Sequence, residues 1–128
     1  MKPELTLLVC AIVLAFVQML VGVLGAMQQV GLPDLLGNRE GLPEITGWAG
    51  RAQRAHRNMV ENLVLFAALV LVAAIAGRTN GQTLFGAQIF VWARLAYAVI
   101  YVVGLPLLRT LSWAISVIGM AMIAVQLF

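Results

Sequence analysis

Four long apolar segments dominate this sequence and restrict it to very few folds. They cover residues 5–29, 48–77, 84–104 and 106–127, and the runs between them are rich in Gly, Pro and polar residues. A helix needs about 20 mostly apolar residues to cross the hydrocarbon core of a bilayer, and each segment reaches that length. Because a lipid-exposed backbone must satisfy its own hydrogen bonds, such segments form helices. We therefore predict an all-α membrane protein, a four-transmembrane-helix bundle in a single domain over residues 1–128.

Charge is too scarce for a water-soluble domain. Of the 128 residues, 62% are hydrophobic and 10% are charged, whereas soluble domains carry about 25% charged residues. The net charge of +3 provides no extended basic surface, so nucleic-acid binding is not expected. Cys10 is the single cysteine, which predicts neither a disulfide framework nor a metal site. The first apolar run is too long for a signal peptide and lacks its cleavage pattern, so we expect a retained span.

The distribution of basic residues predicts the orientation in the membrane. An even number of spans places both termini on one side, and arginine and lysine are enriched on the cytoplasmic side. On the side of loop 30–47 lie five basic residues: Arg39, Arg51, Arg54, Arg57 and Arg109. Lys2 and Arg78 lie on the other side. We therefore predict that loop 30–47 is cytoplasmic and that the termini lie on the opposite side.

The second segment opens with an unusual polar run, "RAQRAHRNMVEN". The segment is about 45 Å long as a helix, against a hydrocarbon core of about 30 Å, so its first turns must protrude. At about 100° per residue, five polar residues share a third of the helix circumference and form a stripe: Arg51, Arg54, Arg57, Asn58 and Glu61. His56 lies on the opposite side, where a packing or interface role is expected.

Two further segments contribute polar groups at a similar depth. The third carries Arg94, Tyr97 and Tyr101 on one face, and the fourth carries Arg109 and Thr110 near its start. Ionisable groups within a span are costly and normally face a protein interior. We therefore expect these groups to converge with the stripe near the cytoplasmic surface, with the long Arg94 side chain reaching up to that level.

Two interpretations of this cluster remain open at this point. Glu61 could pair with Arg94 or Arg57 in an ion-pair network that only ties the helices together, and a lone arginine here would be an interfacial anchor. The surplus of arginine over glutamate instead suits a ligand that carries carboxylates or phosphates. An amine on the same ligand would give Glu61 a partner.

The run "RAHRNMVEN" followed by an apolar span resembles the signature of the MAPEG family, membrane-associated proteins in eicosanoid and glutathione metabolism. The resemblance covers essentially the whole chain, including "R-x-x-Y-x-x-x-Y" on the third segment, and is greatest to the small bacterial branch. It implies a homotrimer that binds glutathione at subunit interfaces facing the cytoplasm. It also implies a multi-pass protein of the bacterial inner membrane, surrounded by membrane lipids.

The resemblance also implies roles for individual residues. Arg54, Arg57, Asn58 and Glu61 match positions that hold the glutathione backbone, with arginines on its carboxylates and the glutamate on its amine. Tyr101 matches a glutathione-contacting tyrosine. Arg109 matches the arginine that stabilises the thiolate, and Thr110 stands where serine or threonine is common. The full set of candidate cofactor-binding residues also contains Arg51, Arg94 and Tyr97.

The chain departs from the family pattern at three points. Tyr97 stands where some members have histidine, and Trp113 stands where some have tyrosine. The connection between the third and fourth segments is also shorter, which makes the alignment of Arg109 less secure than that of the second-segment motif. Catalytic competence is therefore an open question at the level of sequence.

Three functions follow from these observations. The first is a glutathione-dependent membrane enzyme whose lipophilic small-molecule substrate, an electrophile or a hydroperoxide, arrives from the bilayer. The second is a MAPEG-fold protein that binds a thiol or lipid without turnover. The third is a small four-span transporter, which would place its acidic residue in the first span near mid-bilayer; that span offers only Gln18, Gln28 and Gln29 as polar candidates.

Overall fold

The chain folds into helices joined by short connections. The computed structural model describes residues 1–128 and contains α1 (Pro3–Val30), α2 (Leu32–Leu36), α3 (Gly47–Ile75), α4 (Gly81–Val103) and α5 (Pro106–Val125), with no strand. All except α2 are long and apolar enough to cross a membrane. The predictions of an all-α fold and of four membrane spans are therefore confirmed. The short helix α2, inside loop 30–47, was not predicted.

The start of α4 shows why the predicted boundaries differ from the observed ones. Asn80 caps this helix: its side chain accepts hydrogen bonds from the amides of Gln82 and Thr83, both at 2.9 Å. The Thr83 hydroxyl accepts in return from the Asn80 amide at 2.8 Å, which completes a capping box. This polar first turn begins the helix three residues before its apolar run, so hydropathy alone places the boundary at residue 84.

The four spanning helices form an up-and-down bundle. At one end Lys2 Nζ donates to Thr79 Oγ1 at 3.0 Å, and Asn80 Nδ2 donates to Gln126 Oε1 at 2.9 Å. These contacts place both termini beside the α3–α4 turn, and loop 30–47 lies at the other end with the α4–α5 turn. The two ends are thus arranged as an even number of spans requires, while the side that faces the cytoplasm stays a prediction.

The interior of the bundle is apolar and closely packed. Phe66 of α3 and Phe90 of α4 are fully buried and stack with their ring centroids 3.9 Å apart. Between α4 and α5, a Cβ on Gly119 would lie 2.6 Å from the Gly86 carbonyl oxygen and 2.9 Å from the Phe90 amide nitrogen. Only glycine permits this approach, and such small residues bring helix backbones together in membranes. The core therefore fixes α4 against both α3 and α5, the helices that carry the polar cluster.

Candidate functional site

The polar stripe of α3 begins where loop 30–47 is fastened to α1. Gln29 Nε2 donates to the Thr46 carbonyl oxygen at 2.7 Å, and the Thr46 amide donates to Gln29 Oε1 at 2.9 Å. Helix α3 then starts at Gly47, whose φ of +65° favours glycine. With 29 residues the helix is about 42 Å long, which exceeds the hydrocarbon core. Its first turns, which carry the stripe, therefore stand at the end of the bundle.

Six of the predicted site residues line one open pocket between α3 and α4. The pocket has a volume of about 200 Å³. Its lining consists of Arg54, Arg57, Asn58, Glu61, Tyr97 and Tyr101. The side chains of Arg54, Arg57 and Glu61 are exposed, and no ion pair within 4.0 Å joins Glu61 to an arginine. The charged groups of the pocket are therefore free to meet a ligand, and the self-contained ion-pair network is not what the chain forms.

Asn58 occupies the centre of the cluster and its amide has a fixed orientation. Its Oδ1 accepts from Arg94 Nη2 at 2.9 Å and from Asn62 Nδ2 at 3.1 Å. Because a guanidinium only donates hydrogen bonds, the Asn58 atom that faces Arg94 must be the oxygen. The Nδ2 group of Asn58 consequently remains as a donor for a ligand acceptor such as a carboxylate or a carbonyl.

Arg94 lies beneath the pocket and does not line it. The residue is only 1% exposed, and its guanidinium lies 4.1 Å from the centroid of the Tyr97 ring, at cation–π distance. Nε and Nη1 have no hydrogen-bond partner. The long side chain therefore does reach the level of the stripe, as the sequence suggested, but it supports Asn58 and Tyr97 from below.

A second pocket of about 120 Å³ adjoins the first on the side of α5. Asn58, Tyr97, Arg109, Thr110 and Trp113 line it. Asn58 and Tyr97 belong to the lining of both pockets, so the two cavities are neighbours across these side chains. The second pocket brings the predicted residues of α5 to the stripe of α3.

Arg109 connects the two pockets. Its guanidinium lies 4.5 Å from the centroid of the Tyr101 ring, and the rings of Tyr101 and Tyr97 meet edge to face at 5.5 Å. The Tyr101 ring contacts the Arg109 cation without neutralising its charge. Arg109 thus offers an unpaired positive charge between the polar pocket and the α5 side.

Thr110 lines the second pocket, but its hydroxyl hydrogen is already used. Thr110 Oγ1 donates to the carbonyl oxygen of Pro106, one turn earlier in α5, at 3.1 Å. This local hydrogen bond is common for threonine in helices. As placed, the hydroxyl can accept a hydrogen bond from a ligand and cannot donate one, so the tyrosines are the hydroxyl donors of the site.

Arg51 and His56 of the sequence motif lie outside both pockets. Arg51 belongs to the angular stripe, yet its Nε donates to the carbonyl oxygen of Val102 near the end of α4 at 2.9 Å. His56 is half-buried and lines neither pocket. Four of the five stripe residues therefore line one pocket, and the fifth, Arg51, instead contacts a carbonyl at the end of α4.

The structure adds Asn62, which sequence reasoning did not assign. This residue is 9% exposed, and its Nδ2 donates to both the Oδ1 and the backbone carbonyl of Asn58. The signal was present in the sequence, since Asn62 follows Asn58 by four residues and such pairs meet on one helix face. Asn62 is thus a second donor, beside Arg94, that holds the Asn58 amide oxygen.

The assembled site favours an anionic ligand with one positive group. The charged residues that line the two pockets are three arginines and one glutamate: Arg54, Arg57, Arg109 and Glu61. A guanidinium matches the planar geometry of a carboxylate or phosphate. The site therefore suits a small polar molecule with more than one negative group, one amine and a part that reaches Arg109.

Comparison of the chain with known protein families agrees with the resemblance noted in the sequence. A model of the family described as MAPEG family matches residues 4–128, nearly the entire chain. No curated protein and no solved structure matches it. The match covers all four spanning helices and both pockets.

Proposed function

The chain belongs to the MAPEG family, membrane proteins of glutathione and eicosanoid metabolism, and from this premise we propose that it is a glutathione-dependent integral membrane enzyme. The reaction joins the glutathione thiol to a lipophilic electrophile or uses it to reduce a lipophilic hydroperoxide. The observation that carries the proposal is the pair of adjoining pockets, in which three arginines, one glutamate, Asn58 and two tyrosines meet.

The charges of the first pocket complement those of glutathione, which has two carboxylates, one amine and one thiol. Arg54 and Arg57 bind the carboxylates, because their exposed guanidinium groups have no internal acid to neutralise them. Glu61 accepts hydrogen bonds from the amine. Asn58 donates from Nδ2 to a carbonyl or carboxylate oxygen, since its Oδ1 is held by Arg94 and Asn62.

Arg109 acts on the reactive group. Bound glutathione supplies a thiolate nucleophile, and a free thiol has a pKa of about 8.5. The unpaired guanidinium of Arg109 lowers the pKa of a thiol placed beside it because it favours the anion. The Tyr101 hydroxyl, on the ring stacked against Arg109, donates a hydrogen bond to the sulfur. No protein nucleophile is required.

The surroundings of the site fit a second substrate that is dissolved in the membrane. Trp113 borders the second pocket and is 41% exposed on the surface of a spanning helix. A lipophilic molecule in the bilayer can therefore reach Arg109 from the side of α5. In this proposal the protein works as a homotrimer of a bacterial inner membrane, with loop 30–47 and the polar pockets facing the cytoplasm.

A second candidate is a thiol-binding protein of the same fold without turnover. The occupied hydroxyl of Thr110 and the replacement of a common tyrosine by Trp113 favour it, because both reduce the number of hydroxyl donors in the neighbourhood of Arg109. Binding through Arg54, Arg57 and Glu61 would be intact in such a protein.

Formation of a glutathione thiolate distinguishes the enzyme from the binding protein without turnover. Glutathione is added at neutral pH to the purified wild-type protein, to Arg109→Gln and to the control Arg78→Gln, whose side chain lies at the opposite end of the bundle. We expect thiolate absorbance and turnover of a model electrophile in the wild type and control, and a loss of at least tenfold in Arg109→Gln. Glutathione binding without thiolate or turnover would select the second candidate, and absence of binding would refute both.

A further inference from the structure

A separate apolar groove lies between α1, α3 and α4 and has a volume of about 370 Å³. Its lining consists of Leu14, Val17, Gln18 and Val21 of α1, Ala52 and Ala55 of α3, and Leu95, Ala98, Val99, Val102 and Val103 of α4. No polar atom is accessible inside it, and it shares no lining residue with the two polar pockets. The groove is thus a distinct cavity with distinct chemistry.

The dimensions of the groove suit one hydrocarbon chain. Its length along α4, from Leu95 to Val103, is about 12 Å at the helical rise. A volume of about 370 Å³ over that length gives a mean cross-section of about 30 Å², which accommodates a single extended acyl chain.

A cation stands at the end of the groove near the membrane surface. Arg51 Nε donates to the carbonyl oxygen of Val102, a lining residue, at 2.9 Å. Its guanidinium also covers the turn after α4, since a Cβ on Gly104 would lie 3.6 Å from its Cζ. The side chain is only half-exposed, and its two terminal nitrogens remain free to donate. A hydrocarbon groove thus ends at a positioned and partly desolvated guanidinium.

We propose that this groove binds one acyl chain of an anionic phospholipid, with the headgroup phosphate against Arg51. The end of α4 marks the end of a spanning helix, where a lipid headgroup lies. A guanidinium donates to two phosphate oxygens at once, and basic sites at helix ends on the cytoplasmic side recognise anionic headgroups. The proposal does not depend on glutathione, because Arg51 and the groove lie apart from the polar pockets.

Native mass spectrometry of the detergent-purified protein tests this site. Phosphatidylglycerol and phosphatidylcholine with identical acyl chains are titrated separately. We expect the wild type to retain phosphatidylglycerol about tenfold more strongly, because its phosphate charge is uncompensated whereas the choline cation of phosphatidylcholine offsets the same charge. Arg51→Gln should lose this preference, because the guanidinium that meets the net negative charge is removed. The matched control Arg78→Gln, at the opposite end of the bundle, keeps the preference. Ala98→Phe fills the groove and weakens binding of both lipids.

Four results would overturn the proposal. The first is equal retention of both lipids by the wild type, and the second is an unchanged preference in Arg51→Gln. The third is displacement of phosphatidylglycerol by equimolar oleate, which would make a free fatty acid the occupant. The fourth is disulfide-linked dimers of Val99→Cys in a Cys10→Ala background, which would place a second copy of the chain on the groove.

Discussion

Replacing the buried Arg94 with methionine should weaken ligand binding while changing stability little. Arg94 donates one charge-assisted hydrogen bond, to Asn58 at 2.9 Å, which contributes about 1.5–3 kcal/mol. Its cation–π contact with Tyr97 adds about 1–2 kcal/mol. Against these stands the desolvation of a guanidinium with two unpartnered nitrogens, which costs several kcal/mol. Since these contributions nearly cancel, we expect the free energy of unfolding of Arg94→Met to change by less than about 2 kcal/mol.

The same substitution removes one of the two groups that orient the Asn58 amide. Without Arg94 the amide is held by Asn62 alone and rotates more freely, so the donor that faces the ligand is lost part of the time. The loss of one hydrogen bond of about 1 kcal/mol corresponds to a roughly fivefold higher Kd for glutathione. Titration calorimetry on the wild type and Arg94→Met measures this change, and thermal unfolding in the same detergent measures stability.

A double-mutant cycle with Asn58→Leu identifies the route of the effect. If Arg94 acts through Asn58, the double variant binds glutathione no more weakly than Asn58→Leu alone. Independent, additive losses in Kd would refute this reasoning. So would a large fall in unfolding temperature for Arg94→Met without any change in Kd, because Arg94 would then be a purely structural residue.

Three other tests, each based on one or two substitutions, address the fold and the site. Gly119→Leu should destabilise the bundle by about 1–3 kcal/mol through overpacking against α4, measured as a lower unfolding temperature. The control Gly81→Ala, whose Cβ meets no atom within 4 Å, should not lower the unfolding temperature. Asn80→Ala should cost about 1 kcal/mol by removing the cap of α4, with unchanged glutathione binding; weaker binding would contradict a purely structural role. Tyr101→Phe keeps the ring over Arg109 and should lower only the thiolate absorbance. Tyr101→Leu should also weaken glutathione binding about fivefold. Identical behaviour of the two variants would contradict the separate roles of ring and hydroxyl.

The spanning helices could be predicted because they depend on composition alone. Four apolar runs of sufficient length determine four helices in a bilayer, whatever their packing partners. The boundaries were less accurate where polar residues extend a helix, as at the capping box of Asn80 and Thr83. The short helix Leu32–Leu36 has only five residues, too few for a periodic pattern.

The candidate site was partly predictable for a similar reason. Angular position on α3 places Arg54, Arg57, Asn58 and Glu61 on one face, and they do line one pocket. That position does not reveal which neighbouring atom a long side chain meets. Arg51 contacts a carbonyl at the end of α4, a group available only once the helices have packed.

Short polar side chains raise the same difficulty. Asn62 could have been identified from its spacing to Asn58, but hydrogen bonding between the two amides depends on rotamers. The committed hydroxyl of Thr110 depends on the local turn at Pro106. Sequence therefore indicates the chemistry of this site, and packing decides which atoms remain available for a ligand.

Titration of glutathione into the purified protein and Glu61→Gln tests the central claim most directly. Glu61 is the acidic group of a pocket otherwise rich in arginine, so its removal should weaken binding of glutathione about tenfold. The same substitution should leave the affinity for an analogue without the amine nearly unchanged. Equal losses for both ligands, or no measurable binding to the wild type, would contradict glutathione recognition by this pocket.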